Sequence, residues 1–295
     1  MNAEIEIQLI AVLTAASCAI PGVFLVLRKM SMTSDSITHT ILLGIVLAFF
    51  VVKDLSSPFL LIGAAVMGPV TVWLTELLTK TGLLSEDSAT GMVFPLLFAI
   101  AVILITRYAG TAHLDTDSVL LGELAFAPFD RLIIGGLDMG AKGVYISGAL
   151  LIVNVVFTAV FYKEILVVSF DPVLASVMGF SPAVMHYGLM GMASLTAVGA
   201  YEAVGSVLVT AFMIAPAAAA YLLTEDLKKM LVISVVIGGV CGIAGYQTAA
   251  FFEVSIAGAM ACWAGGIFLC AVLWSWWRRK QAAKRVIKNI IGKES

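Results

Sequence analysis

Nine apolar stretches of about twenty residues follow one another along this chain. They fall near 8–27, 35–52, 57–79, 88–107, 143–162, 184–201, 203–223, 230–247 and 254–275. A helix needs about 20 apolar residues to cross about 30 Å of hydrocarbon, so each stretch reads as a membrane span. Lipid offers no hydrogen-bond partner to the backbone, which leaves helices as the economical spanning element. Alternating ten-residue segments, the mark of a β-barrel, do not occur. The expected fold is therefore an all-α polytopic helical bundle of about nine transmembrane helices. Composition agrees: 61% of the 295 residues are apolar and 12% are charged, about half the charge that coats a soluble domain. The least defined break lies between the sixth and seventh spans, where Gly199–Gly205 must turn around Glu202.

The charges orient the bundle. With the N-terminus outside, Arg28, Lys29, Lys80, Lys163, Lys228 and Lys229 fall on the cytoplasmic side. The tail adds Arg278, Arg279, Lys280, Lys284, Arg285, Lys288 and Lys293, which makes 13 of the 17 basic residues. Only Lys53, Arg107, Arg131 and Lys142 lie outside, so the bias toward a basic interior predicts N-out, C-in. Trp274, Trp276 and Trp277 suit the headgroup belt at the end of the last span. Residues 1–275 read as a transmembrane domain and 276–295 as a basic cytoplasmic tail. The acidic start MNAEIEIQL lacks the basic region of a removable signal, so the first stretch is expected to remain as a span. Cys18, Cys241, Cys262 and Cys270 lie singly in apolar segments and read as small buried hydrophobes.

Few ionisable groups remain at membrane depth. Asp35 and His39, in SMTSDSITHTILLG, are four residues apart and share one helical face. An aspartate at the bilayer centre costs about 2.5–3.5 kcal/mol on insertion scales, so it should pair, face a cavity or bind something. Carboxylate with imidazole suits Mn(II), Fe(II) or Zn(II) better than a soft ion. The competing reading makes Asp35 a helix N-cap and His39 a satisfied interior histidine. Glu202 reads either as a third oxygen ligand or part of an outer gate, or as a solvated loop carboxylate. Glu76 and Lys80 form an i,i+4 pair of ordinary surface type. His113, Asp115, Asp117 and Glu123 cluster in an outer segment that could gather cations, stay solvated or contact a partner. Absent motifs narrow the field: there is no phosphate-binding loop, no H-E-x-x-H and no G-x-S-x-G, so nothing marks the chain as an enzyme. No nucleic-acid partner is indicated.

Three runs resemble the membrane subunit of bacterial manganese/zinc/iron ABC importers. In GVFLVLRKMSMTSDSITHTILLG the matching positions are Gly22, Arg28, Lys29, Asp35, Ile37, His39 and Gly44. SFDPVLASVMGF is similar to the family's cytoplasmic loop at Phe170, Asp171, Ala175 and Gly179. AVGSVLVTAFMIAPAAAAYLL matches a family span at Val204, Gly205, Leu208, Ala211, Pro216, Ala217, Ala218 and Ala220. The resemblance runs in order from about residue 10 to 275. It implies a multi-pass permease of the bacterial cell membrane that acts as half of a dimer, with two ATPase subunits below and an extracytoplasmic metal-binding lipoprotein above. Phe170, Asp171, Ala175 and Gly179 would form the coupling helix, introduced by Pro172 in a helical first turn. Asp35 and His39 would line the metal path, with no permanently bound cofactor. Many members carry an uncharged residue at the position of Glu202; an acidic one resembles the subset with two different permeases, so both a homodimer and a heterodimer are expected arrangements. Manganese is the expected cargo, ahead of zinc and iron. Two readings compete: a proton-coupled secondary metal transporter, with Asp35 and His39 as relay, and an ABC permease for a metal chelate.

Overall fold

The structure is a computed structural model that describes residues 3–53, 57, 59–108, 124–134 and 137–291. Among the described residues ten α-helices carry the fold. They are α1 (Ala3–Leu27), α2 (Ser31–Val52), α3 (Phe59–Thr79), α4 (Glu86–Tyr108), α5 (Lys142–Val160), α6 (Tyr162–Phe170), α7 (Pro172–Val177), α8 (Pro182–Leu223), α9 (Leu227–Phe252) and α10 (Ile256–Ile291). Among the described residues nine segments are long and apolar enough to span a membrane, two of them, 182–201 and 203–223, within α8. The helical bundle and its span count are as the sequence led us to expect.

The sixth and seventh spans are joined without a loop. Two helices meet there end to end, and at their junction Gly205 leaves helical geometry, at φ 77° and ψ 164°. An L-residue with a side chain is disfavoured there, so glycine makes the reversal possible. The direction of the two arms follows from their contacts. His186 and Tyr187 meet Glu76 at the end of α3, and Ser194 reaches Ala65 more than two turns further up. Past Gly205, Thr210 meets Thr38 and Met213 meets Ser34, back at the first turns of α2. The two arms of α8 are thus antiparallel.

The helix ends alternate between two faces, and one face collects the basic turns that hold Arg28, Lys29, Lys80, Lys163, Lys228 and Lys229. There Leu27, Phe170, Leu223 and Arg278 line one recess, and Lys228 lies over the Tyr162 ring at 5.9 Å. Burial raises the Tyr162 phenol above its ordinary value, with the Asp226 carboxylate adding to the shift. α10 continues unbroken past residue 275 to Ile291.

At the opposite face a two-stranded antiparallel hairpin, β1 (Arg131–Ile134) and β2 (Leu137–Ala141), pairs Arg131 with Ala141. The sequence shows only a half-apolar interval here. Four- and five-residue strands are too short to give a periodic signal. Arg131 lies 3.7 Å from the buried Glu6 carboxylate and so ties the hairpin to the start of α1.

α1 is the central helix. Ile10, Ala11, Ala15, Cys18, Ala19, Val23 and Phe24 are fully buried, and the helix packs against α5, α8 and α9. Its polar groups are matched inside the bundle: Thr14 meets Ser147 at 2.9 Å, and the Asn154 amide donates to the Ser17 carbonyl and to Thr196. Val232, Val236, Val240 and Ile243 of α9 are exposed, as suits a lipid-facing surface. Cys262 and Cys270 of α10 are exposed too, which corrects the expectation of four buried cysteines; Cys18 and Cys241 are buried. In a membrane protein an apolar position need not be an interior one.

A second cluster, Leu42, Leu43, Met67, Val93, Leu97 and Ala101, joins α2, α3 and α4. Gly44 sits against the Gly63 carbonyl and Ala64, leaving no room for a side chain, which is how small residues bring membrane helices together. Gly44→Leu is expected to separate α2 from α3 and abolish accumulation of folded protein, whereas Gly91→Leu, in open space on α4, is expected to be tolerated. Monodispersity and thermal unfolding in detergent check both.

Candidate transport site

α2 begins at Ser31 with Met30 as its N-cap residue, so Asp35 lies in the second turn. The capping alternative for Asp35 therefore fails, because its carboxylate is past the free amides of the first turn. One turn on, His39 Nε2 lies 3.6 Å from Asp35 Oδ1, beyond hydrogen-bond length. The ring is held instead by α4: Phe94 stacks on it at 5.7 Å between centroids and Phe98 meets it edge-on at 5.9 Å. The pair shares one face, as its spacing implies.

The rest of this stretch of α2 is turned inward. Thr33, Ser34, Ser36, Ile37, Thr38 and Thr40 are buried. Their hydroxyls are satisfied locally or across the bundle: Ser36 donates to the Met32 carbonyl, Thr38 to the Asp35 carbonyl and Thr40 to the Ser36 carbonyl. Such back-bonding needs no functional explanation. Asp35 and His39 differ, with 38% and 27% of their side chains exposed. A carboxylate and an imidazole thus stand side by side, each partly exposed. They supply two donor groups, and among the described residues no group of three His, Cys, Asp or Glu could hold a metal ion. Four-coordinate or larger metal sites need more donors than this.

Glu202 lies just before the Gly205 turn of α8, eight residues before Thr210, the α8 partner of Thr38; its side chain lies outside the described part. His113, Asp115, Asp117 and Glu123 lie outside the described residues.

The segment after α6 is built as its sequence suggests. Asp171 caps α7, its Oδ1 accepting from the Val173 and Leu174 amides at 3.0 and 2.9 Å, and Pro172 occupies the first turn. Ala175 is buried, while Phe170, Val173, Leu174, Val177 and Met178 are exposed. Gly179, at φ 86°, closes the segment before α8 starts at Pro182. The result is an apolar knob on the basic face, outside the spans. An exposed patch of this kind marks a contact surface.

Sequence reasoning missed the most connected charge in the bundle. Glu76 is more than half of a surface pair with Lys80, from which it lies 3.6 Å. Its Oε2 accepts from the Tyr187 hydroxyl at 2.8 Å, and its Oε1 lies 2.9 Å from His186 Nε2. The imidazole approaches off the hydrogen-bond axis, so that contact is mainly electrostatic. Arg28, Glu76, Glu86 and His186, together with Thr33, Thr71 and Thr75, line a cavity of about 370 Å³ at the basic-face ends of α2, α3 and α4. Burial lowers the Arg28 guanidinium from its ordinary value, opposed by the Glu86 and Glu76 carboxylates. The signal was hard to see, because Glu76 and His186 are 110 positions apart and each alone resembles an interfacial charge.

Nine candidate spans among the described residues, with a capped apolar knob outside them, define a multi-pass membrane protein. The chain belongs to the ABC 3 transport family, which it matches over residues 4–275; ATP is hydrolysed by a separate subunit. Over 275 residues it is 45% identical to the manganese transport system membrane protein MntD of Bacillus subtilis, covering 93% of each chain. It is 46% identical over 270 residues to the zinc transport system membrane protein TroD of Treponema pallidum, covering 92% of this chain and 73% of the relative. Among solved structures, PsaBC from Streptococcus pneumoniae in complex with Fab superimposes with a TM-score of 0.75 at 27% identity, over 92% of this chain and 91% of that one. Family membership sets aside the proton-coupled secondary transporter.

The exposed pair can be probed directly. In a chain with Cys262 and Cys270 replaced by serine, Asp35→Cys in the isolated subunit is expected to react with a polar maleimide, and Ile37→Cys, whose position is 1% exposed, is expected to stay unlabelled.

Proposed function

We propose that this chain is one half of the membrane core of an ATP-driven importer for divalent transition-metal ions, with manganese its principal cargo. The observation that carries the reading is the Asp35–His39 pair: a carboxylate and an imidazole on one face of the α2 span, each partly exposed. A charge in that position requires a partner. A second permease subunit, identical or homologous, would cover the face and double the donor set, giving two carboxylates and two imidazoles. That set of hard and borderline donors without thiolate suits Mn(II) and accommodates Fe(II) and Zn(II). Relatives named for manganese, zinc and chelated iron support the class of cargo. Residues 1–275 form the permease proper, and 276–295 a basic tail on the inner side.

In this reading the basic face is cytoplasmic, N-out and C-in. Two ATPase subunits seat the α7 knobs, one from each permease, with Phe170, Val173 and Val177 in the groove, Ala175 packed behind them and Asp171 holding the helix start. An extracytoplasmic metal-binding lipoprotein delivers the ion at the hairpin face, where Glu202 stands as an outer oxygen donor. ATP-driven closure below moves α7 and α8, and the bundle alternately exposes the pair to the two sides. The pair replaces part of the hydration shell of the ion on its way across.

Reconstituted with its partner subunits, the wild-type chain is expected to take up manganese only with ATP. Replacing Asp35 and His39 by alanine should lower uptake by at least the about 10–100-fold that loss of a supporting group costs a metal site, with assembly unchanged. Normal uptake by the double variant would sink the site assignment, and zinc outcompeting manganese at equal concentration would overturn the choice of cargo. Docking has its own test: Ala175→Arg with Gly179→Arg should abolish co-purification with the ATPase while leaving the solubilised permease folded.

A further inference from the structure

α7 has no direct path to the pair. Between the apolar knob and the helix that bears Asp35 stand α8 and α3, and α8 also meets α2 directly, at Thr38–Thr210 and Ser34–Met213. α8 starts at Pro182, five residues after α7 ends, and its second turn carries His186 and Tyr187. Both meet one carboxylate, Glu76 in the last turn of α3, at 2.9 and 2.8 Å. α3 is in turn locked to α2: Thr71 donates to Thr40 at 2.9 Å, and Gly44 and Gly63 bring the two backbones together. α2 carries Asp35 and His39. A higher contact, from Ser194 to the Ala65 carbonyl at 2.8 Å, lines up α8 and α3 again. Glu76 is thus the ionic joint nearest the moving end, where the lever arm is longest.

Its surroundings suit a joint better than an ion-binding site. Arg28 and Lys80 line the same cavity as Glu76 and Glu86, so the formal charges there cancel, and a free cation gains little. A carboxylate engaged by an imidazole, a phenol and an ammonium has a defined direction and resists sliding. Hydrogen bonds to a charged acceptor are also stronger than neutral ones.

We infer that Glu76 is a positioning residue that passes the displacement of the α7 segment, through His186 and Tyr187, to the α2–α3 unit bearing Asp35 and His39. This rests on the importer reading above. Removing the carboxylate frees α8 from α3 at its lower end. ATP hydrolysis then continues while the pair no longer follows it. A merely structural Glu76 would instead lower folding, ATP turnover and uptake together.

The experiment measures manganese uptake and phosphate release side by side in proteoliposomes that hold the complete transporter. For Glu76→Ala the ATP turnover is expected to stay within about twofold of wild type, and ions moved per ATP to fall about tenfold, within the range of mutations along coupling networks. Glu76→Gln, which keeps an acceptor for Tyr187, should retain more of that ratio than Glu76→Ala. If Glu76→Ala fails to assemble, the His186→Ala/Tyr187→Phe variant, which removes both partners and leaves the carboxylate, should show the same loss of ratio. An unchanged ratio, or a parallel fall in turnover and uptake, would overturn the inference. Wild-type transporter that moves no manganese with ATP would overturn the importer reading itself, and this joint with it.

Discussion

Lipid cannot answer a polar group, and the whole arrangement of this chain follows from that. Every donor and acceptor at membrane depth must be matched inside the bundle or be held there for a reason. Most are matched. Asn154 ties α5 to α1 and α8 through the Ser17 carbonyl and Thr196, and the hydroxyls of α2 fold back on their own helix. Interhelical bonds of this kind are each worth only about 1 kcal/mol in membranes, so they align helices more than they hold them together. Subtracting such groups leaves charge within the described spans at Glu6, beside Arg131, on the Asp35–His39 face and at the Glu76 joint. Asp35 and His39 stand too far apart to hydrogen-bond each other, whereas Glu76 accepts from Tyr187 and lies against His186, and those different states suit different tasks. A group that must meet an ion has to be available. A group that must transmit force has to be held.

The packing divides along the same line. α1 is enclosed by α5, α8 and α9 and acts as a fixed post, its apolar residues buried from Ile10 to Leu25. α2, α3 and α4 make a smaller unit with its own cluster around Leu42, Met67 and Val93. Ile37, Ile41, Ala64 and Val72 of α2 and α3 also pack into the core around α1 and α8, so the two groups of helices share an apolar contact. Interiors at close-packed density deform poorly, so motion has to be placed at the contact between units. Polar and backbone contacts cross that contact at Thr38–Thr210, Ser194–Ala65 and Glu76 with its partners.

Much of this was legible in the sequence, and the parts that were share one property: they are local. The spans follow from apolar runs, the shared face of Asp35 and His39 from a spacing of four, and the start of α7 from Asp171-Pro172. The turn expected within Gly199–Gly205 falls at Gly205, but the sequence could not show that the two helices meet there without a loop, since that depends on one dihedral pair. The hairpin at 131–141 is too short to leave a period. Cys262 and Cys270 misled because exposure to lipid and burial in protein select the same residue types. Glu76 misled for a further reason: Lys80, a visible partner four residues away, hid the partners 110 and 111 residues away. A local explanation that suffices is not always the whole one.

What selects the ion is not visible in α2 alone. MntD and TroD, named for different metals, are 45% and 46% identical to this chain, so overall similarity does not separate manganese from zinc. Donor type does not separate them sharply either, because carboxylate and imidazole serve both. Geometry can: zinc favours four ligands in a tetrahedron, and a manganese site accepts six with more oxygen. Phe94 and Phe98 fix the His39 ring from one side, so its nitrogen cannot swing to follow a shorter bond. Two such rings held rigidly across a subunit interface would set the span between donors before the ion arrives. Selectivity would then lie in the aromatic packing behind the histidines and in the spacing of the two subunits.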